Sequence, residues 1–161
     1  MTRPYDRLAR EAEAVLEAPR AERLRRLTDC VWEALAPTGV SWAGFYLPGA
    51  DGASLTLGPC RDKPACSPIG LHGVCGRAFR ARRSVIVRDV AALGADYVAC
   101  DPRDRSEVVV PLLDASGACA GVLDLDSFEV GAFGAGDAAG LEAMLRAAGL
   151  LEVEPPAPLE L

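Results

Sequence analysis

The sequence has little with which to bind a metal or nucleic acid, and nothing with which to cross a membrane. It contains one histidine, His72. Its longest strongly apolar stretch, residues 108–113, is six residues long and includes a proline, whereas a membrane span needs roughly 18 apolar residues. Lys and Arg number 17 against 23 Asp and Glu, a net charge of −6, so the basic face typical of nucleic-acid binding is missing. The first residues also lack the apolar core of a signal peptide. We expect a soluble, cytoplasmic protein.

The composition is that of one globular domain with an unusual number of thiols. Of 161 residues, 50% are hydrophobic and 25% are charged. The chain is long enough to form a core without disulfides. The cysteine spacing argues against zinc, because even the closest cysteines, Cys60 and Cys66, have five residues between them. Inert buried thiols, redox chemistry or a mixture of both remain. The six cysteines are Cys30, Cys60, Cys66, Cys75, Cys100 and Cys119.

Hydrophobic periodicity and turn residues predict an α+β domain. Helices are predicted over residues 5–18, 20–35 and 73–79, with a last helix whose N-cap is Asp137. Strands are predicted over residues 40–47, 53–57, 84–87, 106–113 and 118–126. Residues 58–76 and 88–104 are rich in loop-forming residues, and the proline-rich segment 152–161 is expected to be a flexible tail.

The last predicted hairpin gathers carboxylates at one end. If its turn joins Leu113 to Ala118, Glu107 lies opposite Asp124, with Asp126 nearby. Strand alternation puts both aspartates on one face and the neighbouring leucines on the other. The three acids either lie on a solvated face, or form a cluster that needs a cation, a shared proton or open water. A cluster would suit an ammonium ligand or a proton donor.

The cysteines differ in their predicted surroundings. Cys30 and Cys119 lie on apolar faces and are expected in the core. The other four lie in loops or at a helix start, where thiols are more often exposed. Cys75 is either close to a helix N-terminus, which favours a thiolate, or a small packed residue. Cys100 precedes Glu107 by seven positions and could reach the carboxylates.

Two aromatic residues share one side of the first predicted strand. Trp42 and Tyr46 are four positions apart. Aromatic residues on strands usually belong to a core, although in a pocket this pair could enclose an apolar or cationic group. The lone His72 lies in a loop, where a histidine is more often exposed than catalytic.

Several short motifs occur together in one order: WAGFYL, LGP, KPAC, GVCG, ACD, SEVVVPL and GVLDLDS. Over residues 40–128 the sequence therefore resembles the free methionine-(R)-sulfoxide reductases, which are single GAF-domain proteins. The resemblance implies a GAF-like fold for residues 1–151. In such a fold a central antiparallel sheet carries the N- and C-terminal helices on one face and pocket-closing loops on the other.

The resemblance also implies an activity and its residues. Cys100 would attack the sulfoxide sulfur of the free amino acid, and Cys66 would resolve the sulfenic acid, with Cys75 supporting. Thioredoxin, supplied with electrons by NADPH, would reduce the disulfide, without a bound cofactor or metal. Trp42 and Tyr46 would surround the methyl sulfide end of the substrate. Glu107, Asp124 and Asp126 would contact its sulfoxide oxygen and ammonium group, with Glu107 and Asp124 also catalytic. A homodimer is compatible with this family.

Two other functions compete with the reductase. GAF domains also serve as non-catalytic sensors of small molecules, and fold alone does not decide function. A thiol redox switch would form the same disulfide without turning over methionine sulfoxide.

Overall fold

The computed structural model describes residues 2–97 and 100–161. It contains α-helices α1 (Tyr5–Glu13), α2 (Arg20–Leu35), α3 (Val74–Ala81) and α4 (Ala135–Ala147). Its strands are β1 (Trp42–Pro48), β2 (Ser54–Arg61), β3 (Ile69–Gly70), β4 (Val85–Val87), β5 (Ser106–Leu113), β6 (Cys119–Ser127) and β7 (Leu159–Glu160). Short 3-10 helices occupy Ala36–Thr38 and Val90–Asp96. Within the described ranges, no helix is long and apolar enough to span a membrane.

One seven-stranded sheet organises the molecule, in the order β3-β2-β1-β6-β5-β4-β7. Every neighbouring pair is antiparallel except β4 and β7. Buried residues of α1, α2 and α4 form the main core against one sheet face, where Phe45 and Leu123 are fully buried. A smaller cluster, which includes Trp42, Tyr46 and residues of α3, covers the other face. The predicted α+β class is therefore observed, with a sheet that is mixed rather than wholly antiparallel.

The helices follow the predicted pattern with two corrections. Helix α2 has the predicted bounds because Pro19 precedes it and Pro37 follows it closely. Helix α1 ends at Glu13 rather than residue 18, since tighter turns after it bring Val15 into the core. Helix α4 begins at Ala135, not after Asp137. The Asp137 side chain instead accepts a 2.8 Å hydrogen bond from the backbone N–H of Gly134, which is the N-cap.

The register of the last hairpin differs from the predicted one. Glu107 pairs with Asp126, and Asp124 pairs with Val109. The shift is two residues and has two causes. The turn places Leu113 opposite Cys119 rather than Ala118, and a one-residue bulge at Ala120 shifts every pair beyond it by one more residue. The bulge is next to Gly121, whose φ of +143° favours glycine. The predicted faces are correct, because Leu123 and Leu125 enter the main core while both aspartates face the opposite side.

Two segments predicted as irregular are more regular than expected. Strand β2 continues to Arg61, so that the first four residues of the predicted loop 58–76 belong to the strand. The segment 152–161 does not extend freely. Residues 159 and 160 pair with β4, and the Leu161 N–H donates to the Ile86 carbonyl at 2.8 Å. Leu159 and Leu161 pack against the smaller cluster, and this apolar contact holds the proline-rich segment to the sheet.

Candidate functional site

A cavity of about 280 Å³ lies on the sheet face opposite the main core. Strands β1, β5 and β6 form its floor, the start of α3 forms one wall, and loops between residues 65 and 73 and around Cys100 form its rim. The eight residues singled out from the sequence all line it: Trp42, Tyr46, Cys66, Cys75, Cys100, Glu107, Asp124 and Asp126. The fold thus brings together side chains from six separate segments.

Four buried carboxyl groups make the cavity acidic. Asp104, Glu107, Asp124 and Asp126 are each at most 9% exposed. Among the described residues none of them forms an ion pair. Burial, with repulsion from the other acids, raises the pKa of Asp104 to about 6 and of Asp124 to about 7. The same causes raise the pKa of Glu107 and Asp126 well above the usual range. The cluster is therefore poised to hold protons near neutral pH.

The two carboxyl oxygens of Asp124 lie in different surroundings. Its Oδ2 accepts a 3.2 Å hydrogen bond from the Sγ of Cys75. Its Oδ1 is buried and has no partner within the part of the chain that the structure describes. A buried oxygen without a partner is costly, and a ligand that donates a hydrogen bond there would relieve that cost.

The three cysteines of the cavity lie in different environments. Cys66 and Cys100 are exposed, and both line the rim of the cavity. Partial burial of the Cys100 thiol, together with the neighbouring Cys66, raises its pKa to about 12. Cys75 is only 5% exposed, and burial beside Asp124 and Glu107 raises its pKa well above the usual value. Of the two alternatives for Cys75, the structure supports the small packed residue rather than the thiolate, because these effects outweigh its position near the start of α3.

The two aromatic residues connect the cavity to its rim. The rings of Trp42 and Tyr46 are 6.1 Å apart at 36°. The Trp42 Nε1–H donates to the Lys63 carbonyl, and the Tyr46 hydroxyl donates to the Cys66 carbonyl, both at 2.8 Å. Their polar atoms thus hold the Cys66 loop, while both residues line the cavity.

Comparisons with known proteins agree with this geometry. The GAF domain family model matches residues 17–151. The structure of free methionine-R-sulfoxide reductase from Neisseria meningitidis, in complex with its substrate, is 33% identical. It aligns with a TM-score of 0.80, covering 90% of this chain and 86% of that one. The chain belongs to the free methionine-R-sulfoxide reductase family. The predicted GAF fold is thereby confirmed.

Other members of the reductase family support the same assignment. The reduced form of fRMsr from Staphylococcus aureus is 30% identical, with a TM-score of 0.83, and the alignment covers 94% of this chain and 97% of that one. Free methionine-R-sulfoxide reductase of Saccharomyces cerevisiae is 36% identical over 114 residues, 68% of this chain. That alignment spans 63% of the yeast protein, less than two thirds of its length.

One acidic residue of the cavity, Asp104, was not identified from the sequence. Asp104 was missed because it lies in the charged run DPRDR, a composition typical of an exposed loop. Its burial becomes evident only with the fold, where the Ser41 hydroxyl approaches it at 3.5 Å.

The remaining cysteines line no part of the cavity. Cys30 and Cys119 are half-buried against the main core, and half-buried Cys60 donates to the Lys63 carbonyl.

One subset of the cavity residues could also bind a metal ion. Ligand atoms of Cys75, Glu107 and Asp124 all lie within 4.8 Å of one another. A thiolate with two carboxylates is a donor set that zinc accepts. Cysteine spacing alone predicted against zinc, but these donors come from α3, β5 and β6, so their proximity arises only in the folded chain.

Proposed function

We propose that this chain reduces free L-methionine-(R)-sulfoxide to L-methionine. The observation that carries the proposal is the pairing of two exposed thiols with a buried acid cluster across one cavity. Relatives bearing the name free methionine-R-sulfoxide reductase support this choice of substrate.

The first step transfers oxygen from the sulfoxide to Cys100. The Cys100 sulfur attacks the sulfoxide sulfur and a sulfur–sulfur bond forms. The oxygen then bonds to the Cys100 sulfur while the substrate sulfur loses its bonds to oxygen and to Cys100, so that methionine leaves and Cys100 becomes a sulfenic acid. The oxygen must be protonated as its bond to sulfur breaks. Glu107 and Asp124, whose raised pKa values favour the protonated form, are suited to donate that proton. The Cys100 thiol proton then restores the acid, so the step is balanced.

The acid cluster also explains selection for the free amino acid. An amino acid carries an ammonium group, which a methionine within a peptide lacks. The four carboxyl groups have no cationic partner among the described residues, and Asp104, with a pKa of about 6, is largely ionised at neutral pH. An ammonium group would pair with it and favour the ionised form of its neighbours, and this attraction is stronger where water is excluded. A peptide would bury the same carboxyl groups without an ammonium group to pair with them. The difference between the two binding free energies gives the specificity for the free amino acid. Trp42 and Tyr46 would enclose the methyl sulfide end.

The second step converts the sulfenic acid into a disulfide, which an external reductant then returns to two thiols. Cys66 attacks the sulfenic acid of Cys100, a disulfide forms, and the oxygen leaves as water. The position of both exposed thiols at the rim of the same cavity supports Cys66 as the resolving cysteine. Buried Cys75 would serve in support through its hydrogen bond to Asp124. An external dithiol then reduces the disulfide by exchange, and we propose thioredoxin as that donor. The chemistry requires no bound cofactor.

The decisive test is oxidation of NADPH coupled through thioredoxin reductase and thioredoxin. The substrates compared are free L-methionine-(R)-sulfoxide, its S epimer, and an R sulfoxide with blocked amino and carboxyl groups. We expect turnover of the free R epimer alone. Absence of turnover with all three, in the presence of a thioredoxin system shown to be active, would contradict the proposal.

A Cys100→Ser variant separates catalysis from sensing. The serine hydroxyl is too weak a nucleophile at neutral pH to replace a thiol, so we expect no methionine to form. Binding of the sulfoxide, measured by calorimetry, should persist because the acid cluster is intact. Retained methionine formation would remove Cys100 from the attacking role.

A further inference from the structure

A charged cluster just outside the cavity joins the two loops that carry the rim cysteines. Lys63 forms an ion pair with Asp101. Arg103 forms a second one, with its Nη2 2.8 Å from Oδ2 and its Nε 3.1 Å from Oδ1 of the same carboxylate. Hydrogen bonds from Arg103 and Lys63 hold the pKa of Asp101 well below its usual range. One carboxylate is therefore shared by cations from both loops.

Phe128 completes this cluster from the end of β6. The Arg103 guanidinium lies 4.5 Å and the Lys63 ammonium 5.8 Å from the centre of its ring, both within cation–π range. Phe128 is 41% exposed, unusual for a large apolar side chain in this protein. The two cations above the ring account for its position. We call Lys63, Asp101, Arg103 and Phe128 the loop clamp.

The loop clamp is close in sequence to both thiols. Lys63 precedes Cys66 by three residues, and Asp101 directly follows Cys100. Between Lys63 and Cys66 the backbone is fixed at both ends by the hydrogen bonds from Trp42 and Tyr46. Moving the Lys63 side chain away from Asp101 therefore removes a direct connection between the two cysteine loops.

We propose that the Lys63–Asp101 ion pair is a positioning element that sets the rate at which Cys66 resolves the sulfenic acid of Cys100. In that step the Cys66 thiol loses its proton, a sulfur–sulfur bond forms, and the S–O bond of Cys100 breaks to release water. The inference rests on the proposed function for the origin of the sulfenic acid. It concerns positioning only, because no clamp residue contacts the reacting atoms.

A partly exposed ion pair can change the rate of this step while contributing little to the stability of the fold. Pairs of this kind contribute little to the free energy of unfolding, and the Lys63 side chain is 40% exposed. An intramolecular reaction, however, depends directly on how often the two groups meet in the correct geometry. We expect loss of the pair to slow resolution about fivefold, with little change in thermal stability.

The experiment follows the sulfenic acid in single turnovers of the full chain. Reduced enzyme is mixed with one equivalent of free methionine-(R)-sulfoxide. Released methionine and the sulfenic acid captured by a dimedone-type reagent are then measured against time. In Lys63→Met we expect the methionine burst to match wild type while the sulfenic acid survives about fivefold longer. Lys63→Arg, which keeps the charge, should restore the wild-type lifetime.

Arg146→Met is the matched control, because it removes one positive charge from an exposed ion pair with Glu154. Its sulfenic acid lifetime should be that of wild type. The inference is overturned if Lys63→Met resolves as fast as wild type, if arginine does not rescue it, or if Arg146→Met slows the step equally. High salt should also lengthen the wild-type lifetime more than that of Lys63→Met.

A peroxide arm separates failure of this inference from failure of the proposed function. Hydrogen peroxide oxidises the Cys100 thiol to the same sulfenic acid, with release of water. If wild type forms no methionine from the sulfoxide, the proposed function fails, and the loop clamp is then tested by the peroxide-derived sulfenic acid in the same three variants. The expected ratios between variants are the same.

Discussion

Replacing Asp124 by asparagine should stabilise the protein at alkaline pH while removing activity. Burial raises the pKa of this carboxyl from 3.8 to about 7, so the folded protein binds a proton that the unfolded chain has released. The unfolding free energy of wild type therefore decreases as pH rises from about 4 to about 7. Above that range the full penalty of the buried charge, on the order of 4 kcal/mol at most, remains. Asparagine has the same shape without the charge.

The assay is urea unfolding of wild type and Asp124→Asn at two pH values. Near pH 5 the variant should gain at most about 2 kcal/mol, and near pH 8 its gain should be larger, up to the order of 4 kcal/mol. Asp6→Asn, an exposed aspartate in the first turn of α1, is the control and should not be stabilised at either pH. A gain that is equal at both pH values, or absent near pH 8, would refute the argument from a buried charge.

Three further predictions concern the chemistry and the fold. The kcat/KM for the sulfoxide should fall as pH rises through about 7, because the cluster then loses the proton of Asp124; a pH–rate profile tests this. Cys66→Ser should release one equivalent of methionine and then stop with sulfenic acid trapped, whereas Cys119→Ser should turn over as wild type in the coupled assay. Gly76→Ala should lower the unfolding free energy by about 1–3 kcal/mol. Its new Cβ would lie 2.3 Å from the backbone of the loop before α3, while Gly136→Ala, with open space around it, should not destabilise.

Sequence patterns predicted local structure well where a local cause is sufficient. The bounds of α2 follow from two prolines, and the faces of β6 follow from strict alternation. The pairing of Glu107 could not be predicted, because it depends on a bulge at Ala120 that the sequence marks only by the following glycine. The segment 152–161 was misjudged for a similar reason, since its attachment to β4 is a long-range contact.

The candidate site shows the same division between local and long-range information. The motif resemblance named eight residues, and all eight line the cavity. Asp104 was missed because a charged loop gives no sign that one of its carboxyls is buried. The raised pKa of Cys75 was also unpredictable, because it comes from acids on β5 and β6 rather than from its own helix.

The burial of the cysteines favours one order of disulfide formation. A protein dithiol can reach only a disulfide at the surface, and Cys66 and Cys100 are both exposed. A bond from Cys100 to Cys75 would instead require Cys75 to abandon its hydrogen bond to Asp124. Neither oxygen of that carboxyl would then have a hydrogen-bond partner among the described residues, which carries the cost of an unsatisfied buried group. We therefore expect Cys75 to enter a disulfide only when Cys66 is absent or already oxidised.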